Sequence, residues 1–181
     1  GPQVIKGVTG EIVTAEQLGG AEAHMANSGV IHFIAEDDRH AILLAQKLLS
    51  FLPSNNLEDP PRVEGDPNVD PDPSLDEVVP TDVKKGYDVR EVIGKVVDFA
   101  DFLEVQSGFA MNIVVGFARI AGRTIGIIAN QPCVQAGALD INAANKAARF
   151  IRFCNAFNIS LLTFVDVPGF LPGVQQEHGG I

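Results

Sequence analysis

The residues best suited to chemistry form the run Asp166-Val167-Pro168-Gly169-Phe170-Leu171-Pro172-Gly173, directly after a continuous apolar stretch at 159–165. In α/β proteins, ligands gather outside the carboxyl ends of strands, where loops can reach them. Pro168 and Pro172 stiffen this loop, while Gly169 and Gly173 let its backbone come close to a ligand. A rigid loop with exposed N–H groups can hold a developing oxyanion or a ureido carbonyl without reorganising. A plain structural turn carries the same pattern, so spacing alone leaves both readings open.

Other chemistry has little support. His24, His32 and His40 stand eight residues apart and His178 is remote, which is no metal-ligand spacing, so each is read as structural or solvated. Cys133 and Cys154 form neither a CxxC pair nor a disulfide framework, and a reducing compartment is the default. Cys133 follows Pro132 and could be drawn as a nucleophile, but no histidine base accompanies it, so a small packed residue is expected. Glu11, Glu16 and Glu104 show no pairing suited to general acid–base work. No G-x-S-x-G, G-x-G-x-x-G or P-loop is present. The net charge is −10, and no basic stripe exists for a nucleic acid backbone.

The elements that must carry the loop follow from local signals. With 181 residues, 46% apolar and 20% charged, the chain can bury a core and is not disordered throughout. No apolar run reaches the ~18–20 residues that span a bilayer. Thr14-Ala15-Glu16-Gln17 has capping-box form and predicts a short helix to about His24, interrupted at Gly19-Gly20. Val30–Ile34 reads as a strand or buried turn. Asp37 caps a helix to Phe51 with Ala41, Leu44, Ala45, Leu48 and Leu52 as a buried stripe, and Asp88 opens one with Val92, Val96 and Leu103 on one face. Residues 113–120 and 124–129, separated by Ala121-Gly122-Arg123, predict a hairpin. Asp140 caps a long helix with Ile141, Ala144, Ala148, Ile151, Cys154 and Phe157 inward, and 159–165 reads as a strand covered on both faces. Hairpin, helix and strand make an α/β layered domain. Between the Asp37 and Asp88 helices lies a break at 53–82, with seven of the eleven prolines and nine acids (Asp70 among them) against one base. It is read as a solvated interdomain connection without chemistry. The N-terminus has neither an initiator Met nor a signal-peptide layout, so the chain reads as a piece of something longer.

The order of segments resembles the carboxyltransferase subunits of biotin-dependent acyl-CoA carboxylases. Nearest in pattern are the propionyl-CoA carboxylase β, methylmalonyl-CoA decarboxylase α and transcarboxylase central subunits. The residues behind this are Gly1–Lys6, Glu16–Ala21, Ser28–Val30, Ala35–Asp38, Val114–Arg119, Asn130–Pro132, Leu139–Asn142 and Phe164–Gly173, continuing to Gln176-Glu177 and Gly179-Gly180. The resemblance implies a crotonase-like (ClpP/crotonase) fold with parts of two tandem domains: 1–52 the end of the first, 53–82 the connection, 83–181 the first half of the second. It implies carboxyl transfer between carboxybiotin, carried on a partner protein or domain, and an acyl-CoA of the propionyl-CoA/methylmalonyl-CoA class. Both reacting centres pass through oxyanions, so paired backbone amides suffice and no titrating constellation is needed.

Carried over from the family, Gly169, Phe170 and Gly173 line the biotin pocket, catalytic residues remain unassigned and no metal is implied. The family's two Gly-rich oxyanion loops fall outside this chain, so it is expected to be inactive alone, with an open sheet edge and an uncovered face. Implied partners are biotin carboxyl carrier and biotin carboxylase subunits and further copies of the chain, as a hexamer. The implied location is the cytoplasm, or the mitochondrial matrix in a eukaryote. The alternative reading is a non-catalytic assembly piece of such a complex. A biotin-independent hydratase or isomerase would need the glutamate pair that is missing.

Overall fold

The computed structural model describes residues 1–67, 72–82 and 85–181; Asp70 and Pro71 of the acidic break, and the boundary at residue 83, lie outside the described residues. In chain order the elements are α1 (Pro2–Thr9), α2 (Ala15–Gly19), α3 (Ala21–Asn27), α4 (Asp38–Leu49), α5 (Leu75–Val78) and α6 (Val89–Val96). There follow β1 (Leu103–Val105), β2 (Ile113–Ile120), β3 (Arg123–Asn130), α7 (Ile141–Ala156), β4 (Ser160–Phe164) and α8 (Val174–His178). Among the described residues, no helix is long and apolar enough to cross a membrane.

The helices start where side chains can accept the orphan N–H groups of a first turn. Thr14 and Gln17 form the reciprocal capping box, at 3.1 and 3.0 Å. Asp37, Asp88 and Asp140 each accept from the backbone two or three residues on, at 2.7, 2.9 and 2.8 Å. All four caps agree with the expected starts. Gly20 ends α2 and caps α3, the expected interruption.

The sheet runs β1-β2-β3-β4. β1–β2 and β2–β3 are antiparallel, with Leu103 opposite Phe117 and Ile113 opposite Asn130, while β3–β4 is parallel, with Ala129 opposite Phe164. Parallel pairing needs a crossover, and α7 supplies it. Ala121 and Gly122 turn the hairpin with φ of 50° and 74°, the positive pair that a tight two-residue turn needs. Asp98 clamps this turn, accepting from the N–H of Ala121 at 2.9 Å and of Gly122 at 2.7 Å.

Helices cover both faces of the hairpin. Ile113, Val115, Phe117 and Ile128 pack with Phe150 and Cys154 of α7 and with Phe51, two residues past the end of α4. Val114, Ala118, Ile127 and Ala129 pack with Val89, Ile93 and Val97 on the α6 side. Phe117 sits among rings, 5.0 Å from Phe150, 5.9 Å from Phe51 and 5.9 Å from Phe153. The Arg119 guanidinium lies 4.2 Å over the Phe51 ring and donates to the Ser50 carbonyl at 2.7 Å, so the end of the first segment is part of this core.

Five expectations are corrected. The strand buried on both faces is β2, not 159–165: β4 pairs with β3 alone among the described residues, and Leu161 is 43% exposed. In α6 the buried face is Val89 and Ile93, followed by Val97, rather than Val92 and Val96; in α7 it is Ala143, Lys146, Phe150 and Cys154. Cys154 is buried as expected; the other positions are displaced by a residue or two, because 3.6 does not divide a short window evenly and a lysine hid one buried position. The α4 stripe is only half covered, with Ala41 and Ala45 exposed. The stretch 30–34 has no regular structure and is held by the Gln106 N–H to the His32 carbonyl.

The acidic break is not a free spacer. Val63 donates to the Gly122 carbonyl at 3.0 Å, Asp66 accepts from the Phe99 N–H, and Asp72 pairs with Lys95 at 3.0 Å. Its prolines exclude long helices yet leave room for the single turn of α5.

Lys146 is the one buried lysine among the described residues, 2% exposed. Its Nζ donates to the carbonyls of Phe109 at 2.7 Å and Ile113 at 2.9 Å, with a longer contact to Ala110. These bonds hold a turn in which Gln106 and Ala110 adopt positive φ, a conformation that costs free energy unless its surroundings enforce it. Burial pushes the Lys146 ammonium down to about 8, Glu104 opposing and Arg90 assisting.

Two outcomes are expected. Asp98→Ala leaves two N–H donors of the hairpin turn without an acceptor and costs about 2–3 kcal/mol in urea denaturation. For Lys146 the unfolded chain binds the extra proton between pH 8 and pH 10.5. Stability relative to Lys146→Met therefore rises across that window, by at most about 1.4 kcal/mol per pH unit. A fall in the same comparison contradicts the assignment.

Candidate functional site

The loop after β4 is built against the segment that precedes α7. Leu139 donates its N–H to the Gly169 carbonyl at 3.1 Å, and its own carbonyl accepts from the Leu171 N–H at 2.7 Å. The two bonds make a one-residue parallel bridge between Leu139 and Phe170. Gly169 and Gly173 have φ of 144° and 150°, where L side chains are strained. A Cβ at Gly169 would meet nothing within 4 Å, so its α-carbon faces open space. Phe170 is 64% exposed beside it. Among the described residues, nothing accepts from the N–H of Gly169 or of Phe170. Gly173 lies at the start of α8, where Gln176 Oε1 accepts from the Ile141 N–H at 3.0 Å and ties that helix to α7.

The base of the loop is held by groups that sequence reasoning passed over. Tyr87 donates its hydroxyl to Asp166 Oδ2 at 2.9 Å, and burial with the Asp166 carboxylate pushes the phenol up to about 12. Asn130 Oδ1 accepts from the Asp166 N–H at 3.3 Å. Gln131, fully buried, accepts from the Val89 N–H at 3.1 Å and donates to Asp88 Oδ1 at 2.7 Å. Burial alone would raise the Asp88 carboxyl, but the Gln131 amide and Arg90 outweigh it and hold it below the usual range. The available signal was the pair of adjacent amides, Asn130 and Gln131, closing an apolar strand: buried side chains of that type are there to satisfy backbone.

A cleft of about 630 Å³ opens beside the loop base, lined by Val79, Pro80, Lys85, Tyr87, Cys133 and Asp166 among others. Cys133 is exposed in it, where a packed residue was expected; Cys154 is the buried one. The glutamate-pair reading finds no support. Arg90 grips Glu104 bidentately at 2.6 and 2.8 Å, which raises the guanidinium's pKa and leaves that carboxylate no free partner role. Among the described residues no three His, Cys, Asp or Glu side chains converge as metal ligands. What the arrangement offers is neutral: N–H donors on a loop braced on both sides, suited to an oxygen that gains charge.

Comparison with known proteins agrees in fold and family. The Carboxyl transferase domain model matches residues 1–181. The chain is 64% identical over 181 residues to the methylmalonyl-CoA carboxyltransferase 12S subunit of Propionibacterium freudenreichii subsp. shermanii, covering all of this chain and 34% of that one. It is 55% identical over 182 residues to the propionyl-CoA carboxylase carboxyltransferase subunit of Haloferax mediterranei, covering 35% of it. It is 56% identical to the methylmalonyl-CoA decarboxylase subunit alpha of Veillonella parvula, covering 36%. The chain thus spans about a third of the length of these relatives.

Among solved structures, a transcarboxylase 12S hexamer with methylmalonyl-CoA and methylmalonic acid bound matches all of this chain with a TM-score of 0.94 at 64% identity, over 35% of its own chain. A single-chain, multi-domain long-chain acyl-CoA carboxylase matches 99% with a TM-score of 0.77 at 31% identity, over 17% of its own chain. The fold is α/β and crotonase-like, as the resemblance implied. With the family model matched from the first residue to the last and the helix-covered hairpin superposing on these structures, the chain belongs to the carboxyl transferase domain family.

Proposed function

We propose that this chain is part of the carboxyltransferase subunit of a biotin-dependent acyl-CoA carboxylase, decarboxylase or transcarboxylase, acting on propionyl-CoA/methylmalonyl-CoA. The observation that carries the reading is the loop braced by Leu139 at the carboxyl end of β4, with unaccepted N–H groups at Gly169 and Phe170. It occurs in a chain 64% identical to a methylmalonyl-CoA carboxyltransferase subunit. On this reading residues 1–52 end one carboxyltransferase domain, 53–82 connect, and 83–181 begin the second. The partners are biotin carboxyl carrier and biotin carboxylase subunits and further copies of the chain. The setting is the cytoplasm, or the mitochondrial matrix in a eukaryote.

The residues present fit a ureido ring. Such a ring is neutral and planar and asks for N–H donors, an apolar flank and close backbone approach rather than a charge. Gly169 offers open space at its α-carbon and Phe170 an exposed ring. Gly169, Phe170 and Gly173 would hold it. Carboxybiotin supplies an activated carboxyl group when bound. The N–H groups of Gly169 and Phe170 donate to an oxygen whose charge grows during transfer, and they stabilise the transition state more than the ground state. Leu139 keeps the Gly169 carbonyl and the Leu171 N–H occupied, so the loop does not refold onto itself. On this reading no side chain has to gain or lose a proton.

The expected result is specific to the biotin side. In the complete subunit, Gly169→Val moves the backbone off φ 144° and lowers the rate of carboxyl transfer from methylmalonyl-CoA to free biotin. The expected loss is about 10²-fold, the usual scale for one oxyanion donor. The KM for methylmalonyl-CoA stays unchanged. A Gly169→Val subunit that keeps its transfer rate sinks the assignment. A complete subunit that assembles and binds the carrier yet transfers no carboxyl group supports the scaffold alternative instead.

A further inference from the structure

We propose that Asn130 is a positioning residue for carboxyl transfer, because its side-chain amide links the first N–H of the Asp166–Gly173 loop to the segment that braces that loop. The proposal rests on the reading of Gly169 and Phe170 as the biotin side and extends it to a residue that touches neither. Asn130 is the last residue of β3 and is 7% exposed. Its Oδ1 accepts from the Asp166 N–H at 3.3 Å, and its Nδ2 donates to the Gly137 carbonyl at 3.2 Å. Gly137 is packed so closely that a Cβ there would lie 2.7 Å from the Asp166 carbonyl. The loop and its brace therefore meet twice, at Asp166 through Asn130 and at Gly169 and Leu171 through Leu139.

Between those two ties only Val167 and Pro168 remain, and proline fixes one of their torsions. The direction of the Gly169 N–H is then set relative to the end of β3, where Ile127, Ile128, Ala129 and Asn130 are all buried. Asn112, 3% exposed, supports the brace from behind by donating to the Ala138 carbonyl at 2.8 Å. An asparagine suits the role at 130: one acceptor and one donor diverge from a short stem, and neither brings charge near the ureido oxygen. Without it, the Asp166 N–H and the Gly137 carbonyl lose their shared partner and the loop must be ordered at each turnover. A misplacement on the order of 1 Å is enough to cost rate.

The test uses the complete subunit, with methylmalonyl-CoA as donor and free biotin as acceptor. Asn130→Ala is expected to lower kcat about 10- to 100-fold, with the KM for methylmalonyl-CoA unchanged, when assayed at a temperature where the variant is fully folded despite the lower melting temperature that two unpaired backbone groups bring. Asn130→Asp keeps the acceptor for the Asp166 N–H and loses the donor to Gly137, and it is expected to fall between the two. If Asn130→Ala does not fold, Asn130→Asp carries the test alone, with a kcat below wild type at unchanged KM. Wild-type kcat in the folded variant, or a loss that only tracks the folded fraction, overturns the proposal. Gly169→Val in parallel separates the failures. If it leaves transfer intact, the biotin assignment falls; if it abolishes transfer while Asn130→Ala does not, only the positioning role falls.

Discussion

The β2–β3 hairpin has helices on both faces, and that single fact sets the terms for everything at its ends. A strand pair buried on two sides leaves no water for the backbone groups that leave the ladder, so side chains must take them. At the turn end Asp98 accepts two N–H groups. At the other end the work falls to amides: Asn112, Asn130 and Gln131, each at least nine-tenths buried. Their partners lie in three different stretches, the start of α6, the segment before α7 and the loop after β4. One requirement of burial thereby becomes a joint among the parts that surround the candidate site.

Lys146 solves the same problem with charge. A buried ammonium is costly on its own, and the carbonyls it meets would also be costly left unpaired. The lysine stem fills the α7 face of the core while its head replaces water at the 109–113 turn. Asn112, in that same turn, then reaches the Ala138 carbonyl. The turn, the brace and the loop are connected through bonds that each serve a local need, and the chemistry proposed here asks only that they stay still.

Open surfaces stand against this rigid centre. β4 has a free edge among the described residues, and Val4, Val8 and Ile12 of the first segment are largely exposed. Apolar side chains in such positions suit burial against other protein. Under the proposed reading, the remaining two-thirds of a subunit and its neighbours would supply that cover.

The sequence by itself determined what depends on nearest neighbours along the chain. Thr14, Asp37, Asp88 and Asp140 cap helices because an oxygen two or three residues from an N–H reaches it whatever else happens. The Ala121-Gly122 turn follows from the need for two positive φ values between β-branched runs. The family motif around Asp166–Gly173 was legible because it is contiguous. Only the tertiary structure decided which helix faces are buried, that β2 rather than β4 lies between two layers, that the proline-rich stretch packs, and that Asn130 and Tyr87 hold the loop base. Those outcomes join residues tens of positions apart, such as Tyr87 with Asp166 and Lys146 with Phe109. Such partners leave no periodic mark in either segment, because what selects them is the closing of space around a dry hairpin.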